Sequence, residues 1–392
     1  MEAGVLSAQL WSHFHLLKPY NYCILHSHPP MRVPCPRFIV KGDRKTIYLW
    51  AMGICVSVQS PEIHQADYSQ EENTLYFAQN AANDENRKLG SLWSKQGSKG
   101  LNQDAAILYQ DYGFEDGVFC GVFDGHGKNG HFVSKMVRNQ LPSLLLSQKT
   151  SMEMIGRGRV EKLDGESMHS LNVLQWGEAC VSAFKVMDKE IKLQENLDCS
   201  CSGTTAVVVV REGEDLIIAN LGDSRAVLGT MTENGIMAIQ LTTDLKPGLP
   251  GEANRIRKCN GRVITLKEEP HIQRVWLPDE DSPGLAMSRA FGDFLLKNHG
   301  VIAIPDVSHR RLSPDDQFIV LATDGVWDML SNEQVVSMVC GADSQQAAAK
   351  AVVESANAAW KRRFPTSRMD DCTAVCLFFH KRQPQSFPPV WT

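Results

Sequence analysis

Two apolar runs in this chain stop at the same dipeptide. Gly117-Val-Phe-Cys-Gly-Val-Phe123 runs into Asp124-Gly125, and Phe318-Ile-Val-Leu-Ala-Thr323 runs into Asp324-Gly325. Short apolar runs bounded by turn residues read as buried strands. A carboxylate at the edge of a core is unfavourable unless something pairs with it. The following glycine lets the backbone turn sharply and lets a carbonyl face a ligand. One Asp-Gly at a strand end is an ordinary turn. Two of them, on strands laid side by side, set Asp124 and Asp324 at one edge of one core. The fold must therefore bring these two strand ends together.

Further carboxylates stand in similar places. Asn102-Gln103-Asp104 opens an apolar strand, and Asp370-Asp371 precedes the apolar run Cys372 to Phe379. Carboxylates converging from distant segments do not all stay ionised without cations between them. Carboxylates and backbone carbonyls are ligands of Mg²⁺ and Mn²⁺, and no His/Cys pattern beside them suggests zinc. Two cations sharing a carboxylate can activate a bridging water and clamp a phosphate for in-line displacement. No Ser or Cys nucleophile is needed. Gly222-Asp-Ser-Arg-Ala226 fails the G-x-S-x-G elbow at its last position. Cys120 lies inside an apolar strand and reads as a core thiol. Gly125-His-Gly-Lys128 lacks the glycine spacing and the Ser/Thr of a P-loop.

The chain has 392 residues, 43% of them hydrophobic, enough for a large core. A formal net charge of −5 gives no basic field of the kind nucleic-acid partners require. Strands are expected at about 104–109, 117–123, 204–211, 215–220, 225–229, 236–241, 262–265, 316–323 and 372–379. Helices are expected at about 130–148, 170–195, 251–259, 332–341 and 345–363. Short connections such as Arg211 to Asp215 favour antiparallel hairpins with helices packed outside, an α+β fold. The stretch 243–283 is rich in Pro, Gly and charge and reads as a surface excursion near the site.

The first fifty residues differ from the rest. They carry Pro29, Pro30, Pro34 and Pro36 and keep neither helical nor strand periodicity. His13, His15, His26 and His28 have no carboxylate or cysteine pattern beside them, so they read as part of a polar tail. Residues 58–94 read as a polar linker. There is no apolar run of membrane-spanning length and no signal-peptide pattern. The 11 cysteines form no regular framework, so reduced thiols and a cytoplasmic or nuclear location are expected. Met52-Gly-Ile-Cys-Val-Ser57 fits an N-myristoylation signal with Cys55 placed for palmitoylation. It acts only if translation begins at Met52, and membrane association through Gly53 is then expected.

Five motifs occur in order: Phe123-Asp-Gly-His-Gly127, Ser202-Gly-Thr-Thr-Ala206, Gly222-Asp-Ser-Arg-Ala226, Ala322-Thr-Asp-Gly-Val-Trp-Asp328 and Asp370-Asp371. From about Gly97 to about His380 the chain resembles the metal-dependent Ser/Thr protein phosphatases of the type 2C family, most like the plant branch. The resemblance implies a central antiparallel β-sandwich flanked by helices on both sides, with the metal site at one end. It implies a leader and linker over 1–94, a catalytic domain over 95–382 and a tail over 383–392. The implied activity is hydrolysis of phosphoserine and phosphothreonine in proteins by a metal-activated water, without a covalent intermediate.

The resemblance also implies roles. Asp124 would bridge two Mn²⁺ or Mg²⁺ ions, Gly125 would add its carbonyl, and Asp324 and Asp370 would complete the set. Asp371 takes the place of the family's Asn, so the doublet leaves open which Asp is the ligand. Asp104 would orient a water, and His126 would act as general acid toward the leaving oxygen. Lys99 stands where the family carries a phosphate-binding Arg and lacks that residue's bidentate fork. Gln103 replaces a Glu, so one metal loses a charged contact. Asp223 and Asp328 match positions linked to a third, weaker metal in some relatives; as local structure they would cap a turn and a helix. A phosphorylated protein is the expected partner, and the chain is expected to be a monomer. Two other readings remain: a related phosphatase of small molecules, and a catalytically dead relative serving as a binding module.

Overall fold

In the computed structural model, the described residues are 73–78, 88–156, 165–267, 269–366 and 368–380. The leader histidines, the Met52-Gly53 pattern with Cys55, and the tail beyond residue 380 lie outside them.

Eleven strands build two facing sheets. They are β1 (Thr74–Ala78), β2 (Gly90–Lys95), β3 (Ala105–Gln110), β4 (Val118–Phe123), β5 (Ala206–Glu212), β6 (Asp215–Leu221), β7 (Arg225–Thr232), β8 (Gly235–Gln240), β9 (Asp306–Arg311), β10 (Asp316–Ala322) and β11 (Cys372–Phe378). One sheet has the order β1-β3-β4-β5-β6-β9 and the other β8-β7-β10-β11-β2. Every pair is antiparallel except β1 with β3, which run parallel.

Alternation along each strand explains the layers. Val118, Cys120 and Val122 of β4 and Ile319 and Leu321 of β10 meet between the sheets, with Val207, Val209, Val375 and Leu377. Phe119 and Phe123 face the other way, against Val133, Val137, Leu141 and Leu145 of α1 (Gly130–Gly156) and Phe184 and Met187 of α2 (Gly165–Lys192). On the opposite outer face, Phe318 and Val320 pack with Ala374 and Cys376 against α4 (Asn332–Gly341) and α5 (Ala348–Arg363). Central strands are thus covered on both faces, which is why they read as continuous apolar runs. Each fully buried Val, Leu, Ile or Phe contributes about 1.5–3 kcal/mol.

Helix α3 (Pro250–Lys258) and the small sheet of 262–265, 273–276 and 283–285 form the expected excursion. Among the described residues no helix is long and apolar enough to cross a membrane.

The expected linker over 58–94 is corrected in part. Thr74–Ala78 and Gly90–Lys95 are edge strands, one on each sheet. β9 was also absent from the expected strands. All three are edge strands; β2 and β9 carry polar positions, while β1 is a short apolar run, Leu75 to Ala78, set in a polar stretch. Gly90 is needed where it lies, because a Cβ there would collide with the Cys376 carbonyl.

Candidate active site

The strand register gathers the carboxylates. Ala105 lies opposite Phe123, Val122 opposite Val207, and Ala206 opposite Leu221. Ala322 lies opposite both Ala374 and Arg225, and Cys372 opposite Lys95. The start of β3, the end of β4, the end of β6, the end of β10 and the start of β11 therefore share one end of the sandwich. Asp104, Asp124, Asp223, Asp324, Asp370 and Asp371 come together there.

Local contacts fix each group. The Asp124 amide donates to Thr205 Oγ1 at 3.0 Å, and the Thr205 amide donates to the Asp124 carbonyl at 2.9 Å. The Gly125 amide donates to the Gln103 carbonyl at 3.2 Å. A Cβ on Gly125 would come within 2.5 Å of the carbonyl oxygens of Gln103 and Gly130, so only glycine fits. Gln103 itself donates from Nε2 to the Gly127 carbonyl at 2.9 Å, clamping the turn after Asp124. Asp104 is buried, and its Oδ2 accepts from Thr323 Oγ1 at 2.8 Å.

The aspartate doublet divides its work. Asp371 accepts from the Gly97 amide at 2.7 Å and from the Gln103 amide at 2.8 Å, one bond on each oxygen. It ties down the loop that carries Lys99. Asp370 pairs through Oδ2 with Lys99 Nζ, and among the described residues its Oδ1 accepts only from the next amide, at 3.1 Å.

The carboxylates are too many for the charge around them. Burial pushes Asp124 well above the ordinary carboxylate range, and Asp324, Asp104, Asp370 and Asp223 add to the effect. Burial, then Asp223, Asp370 and Asp328, raise Asp324 to about 8, against the pull of Lys246. Burial and Asp371 raise Asp104, although hydrogen bonds from Thr373 and Thr323 oppose the shift. Asp328, at the exposed rim, is raised by burial of its carboxyl and by Asp223 and Asp370. No hydrogen bond or ion pair among the described residues reaches the Asp124 or Asp324 carboxylate. Asp223 pairs through Oδ2 with Lys246 Nζ, while its buried Oδ1 has no partner among the described residues. Unpartnered oxygens from convergent carboxylates are a donor set for hard divalent cations, so the residues present fit them.

His126 belongs to a second cluster at this end. A small sheet pairs Gly125-His126 with Gly203-Thr204, and Gly203-Thr204 with Phe291-Gly292. It brings His126 Nε2 to 2.6 Å from Asp293 Oδ2. Burial lowers the proton affinity of the imidazole, but Asp293 outweighs it, and His126 ends above its ordinary value. Gly203 leaves the room: a Cβ there would stand 2.5 Å from Asp293 Oδ2 and 2.9 Å from His126 Nε2.

All seven residues singled out for catalysis or metal binding therefore meet at one end: Lys99, Asp104, Asp124, Gly125, His126, Asp324 and Asp370. Sequence reasoning missed Asp293, Lys246, Thr323 and Thr373. Asp293 had a readable signal, since Ala290-Phe-Gly-Asp293 is another apolar segment ending in a Gly/Asp pair.

Residues 91–362 match the family model described as Protein phosphatase 2C. The chain is 54% identical over 342 residues to "Probable protein phosphatase 2C 72" of Arabidopsis thaliana, covering 85% of this chain and 100% of the relative. It is 49% identical over 361 residues to "Probable protein phosphatase 2C 12" of Oryza sativa subsp. japonica, covering 84% of this chain and 92% of the relative. Among solved structures, the serine-threonine phosphatase 2C from Toxoplasma gondii is similar with a TM-score of 0.67 and 29% identity, over 74% of this chain and 94% of that one.

Proposed function

Because this chain belongs to the protein phosphatase 2C family and is a metal-dependent protein Ser/Thr phosphatase of the plant type, we propose that the carboxylate end of its sandwich is the catalytic centre. The observation that carries this reading is the pair of unpartnered carboxylates, Asp124 and Asp324, raised by burial among like charges.

Asp124, the Gly125 carbonyl, Asp324 and Asp370 would hold Mn²⁺ or Mg²⁺ ions at this end. Asp370 is preferred over Asp371, because Asp371 already uses both oxygens on amides. Asp223, paired with Lys246, and Asp328 would hold a weaker third cation. When bound, the divalent cations supply positive charge that attracts the phosphate and makes water a better nucleophile at neutral pH.

The chain's own residues do the rest. Asp104, held by Thr323, accepts a hydrogen bond from water and sets its direction. Lys99, half-exposed beside Asp370, places the phosphate of the incoming phosphoserine or phosphothreonine. His126, whose proton affinity Asp293 raises, donates its proton to the departing Ser or Thr oxygen.

Turnover of a phosphothreonine peptide and an aryl phosphate with Mn²⁺, Mg²⁺ or EDTA tests the reading. Metal-dependent cleavage of the peptide supports it. Cleavage of the aryl phosphate alone would point to a small-molecule enzyme, and no turnover to a binding module.

The chain acts as a monomer in the cytoplasm or nucleus. A form initiated at Met52 is membrane-associated through myristoylated Gly53. Mass spectrometry of the native N-terminus checks the start; a peptide spanning Trp50 to Ser57 would contradict it.

A further inference from the structure

A second cluster lies at the opposite end of the sandwich. Asp215 opens β6 just after the turn at Gly213-Glu214, and His309 of β9 lies opposite Ile217 in the register. Asp215, Ile217 and His309 therefore share a face, and Ile217 packs in the core under α1 and α2. His169, in the first turns of α2, comes down onto the same place. Its Nε2 lies 2.8 Å from Asp215 Oδ2, and His309 Nε2 lies 2.7 Å from Asp215 Oδ1. The three ligand atoms lie within 4.8 Å of one another.

We propose that His169, Asp215 and His309 form a second metal site, distinct from the carboxylate centre, that takes Zn²⁺ or a similar borderline cation and leaves one coordination position open. The chemistry separates the two sites. The candidate ligands at the catalytic end, Asp124, the Gly125 carbonyl, Asp324 and Asp370, are oxygen donors, which suit Mg²⁺ and Mn²⁺. This end offers two imidazoles and one carboxylate, which suit Zn²⁺ and Co²⁺.

The geometry is close to what zinc needs. Bonds of about 2.0–2.1 Å in a tetrahedron put ligand atoms roughly 3.3 Å apart. The 2.7 Å contact is to Asp215 Oδ1 and the 2.8 Å contact to Oδ2, so the carboxylate needs to turn and the contacts to widen by about half an ångström to admit the ion. The side chains of His169, Asp215 and His309 are 36%, 14% and 19% exposed, so a cation reaches them from solvent. Without metal, the carboxylate accepts from both imidazoles and holds the three groups in register.

The surroundings are also built. Glu212 lies opposite Asp215 across the hairpin. Its Oε2 accepts from Asn172 Nδ2 at 3.0 Å and Trp176 Nε1 at 2.5 Å. His169, Asn172 and Trp176 recur at helical spacing and dock one face of α2 on this hairpin. A bound ion staples the start of α2 to the edge strand β9. The site lies roughly 20 Å along β6 from the catalytic end, at about 3.4 Å per residue.

Zinc titration by calorimetry of the full chain carrying Asp124→Ala, with and without Asp215→Asn or His309→Ala, tests this. The Asp124→Ala background weakens binding at the catalytic centre. Asp215→Asn keeps the size of the side chain and one acceptor oxygen, so it separates lost ligation from lost folding. The expected result is one zinc equivalent that either added substitution removes or weakens by at least about tenfold. In an otherwise wild-type chain, Asp215→Asn should leave basal Mn²⁺-dependent turnover unchanged. Equal zinc stoichiometry and affinity with and without Asp215→Asn would overturn the proposal and leave the three residues as a hydrogen-bonded tether.

Discussion

His126 Nε2 lies 2.6 Å from Asp293 Oδ2, a contact between residues 167 positions apart. It exists because three two-residue strands meet and because Gly203 keeps the space between the two side chains open. The pair holds the pKa of His126 above its ordinary value, where burial alone would lower it.

Asp293→Asn should therefore lower the pKa of His126. A general acid works only while protonated, so activity is lost as pH rises through its pKa. The alkaline limb of the rate profile should move to lower pH in the variant. The loss should be larger on a phosphothreonine peptide, whose leaving oxygen needs the proton, than on an aryl phosphate with a stable leaving group. Paired pH–rate profiles on the two substrates read this directly. Identical losses on both would mean that the pair only holds the fold.

The doublet Asp370-Asp371 should separate into two phenotypes. Asp370→Asn removes a charged ligand and should raise the Mn²⁺ concentration needed for half-maximal activity by about 10–100-fold, a range typical of weakened metal sites. Asp371→Asn keeps an acceptor oxygen but exchanges the other for a donor facing the Gly97 or Gln103 amide. It should lower the melting temperature and loosen Lys99, raising KM for the phosphopeptide with a smaller change in metal requirement. Metal titrations and thermal melts of both variants decide the assignment.

Glu252 anchors the excursion. It is 5% exposed and pairs with Arg255 at 2.6 Å and Arg289 at 2.8 Å, while Ser288 Oγ donates to it at 2.5 Å. Burial alone would raise its pKa, but hydrogen bonds from Arg289 and Arg255 outweigh it and hold the carboxyl down at about 2. Glu252→Gln leaves two partly buried guanidinium groups short of their partner and should cost on the order of 3 kcal/mol. The sign of the pH dependence follows from the depressed value. The contribution is fully present above the ordinary value of 4.5 and fades as pH falls toward about 2. Denaturant midpoints of wild type and variant should converge over that window.

What the sequence could show follows from how each element is buried. β4 and β10 are covered on both faces, so their apolar runs and the Asp-Gly ends were plain. β2 and β9 lie at sheet edges with polar positions, and β1 is a short edge strand set in a polar stretch, so local composition hides them. Asp293 sits after a strand of two residues, too short for periodicity to mark. The choice between Asp370 and Asp371 depends on which oxygens meet the Gly97 and Gln103 amides, which no spacing encodes. His169, Asp215 and His309 come from a helix and two strands far apart in the chain, so only the fold brings them together.

The central claim is that Asp124 holds the divalent cations on which hydrolysis depends. Its sharpest test is the turnover of a phosphothreonine peptide by Asp124→Ala across a Mn²⁺ titration, with circular dichroism to confirm the fold. The account predicts a folded protein with activity at background at every Mn²⁺ concentration. A folded Asp124→Ala variant that regains wild-type turnover at higher Mn²⁺ would contradict it.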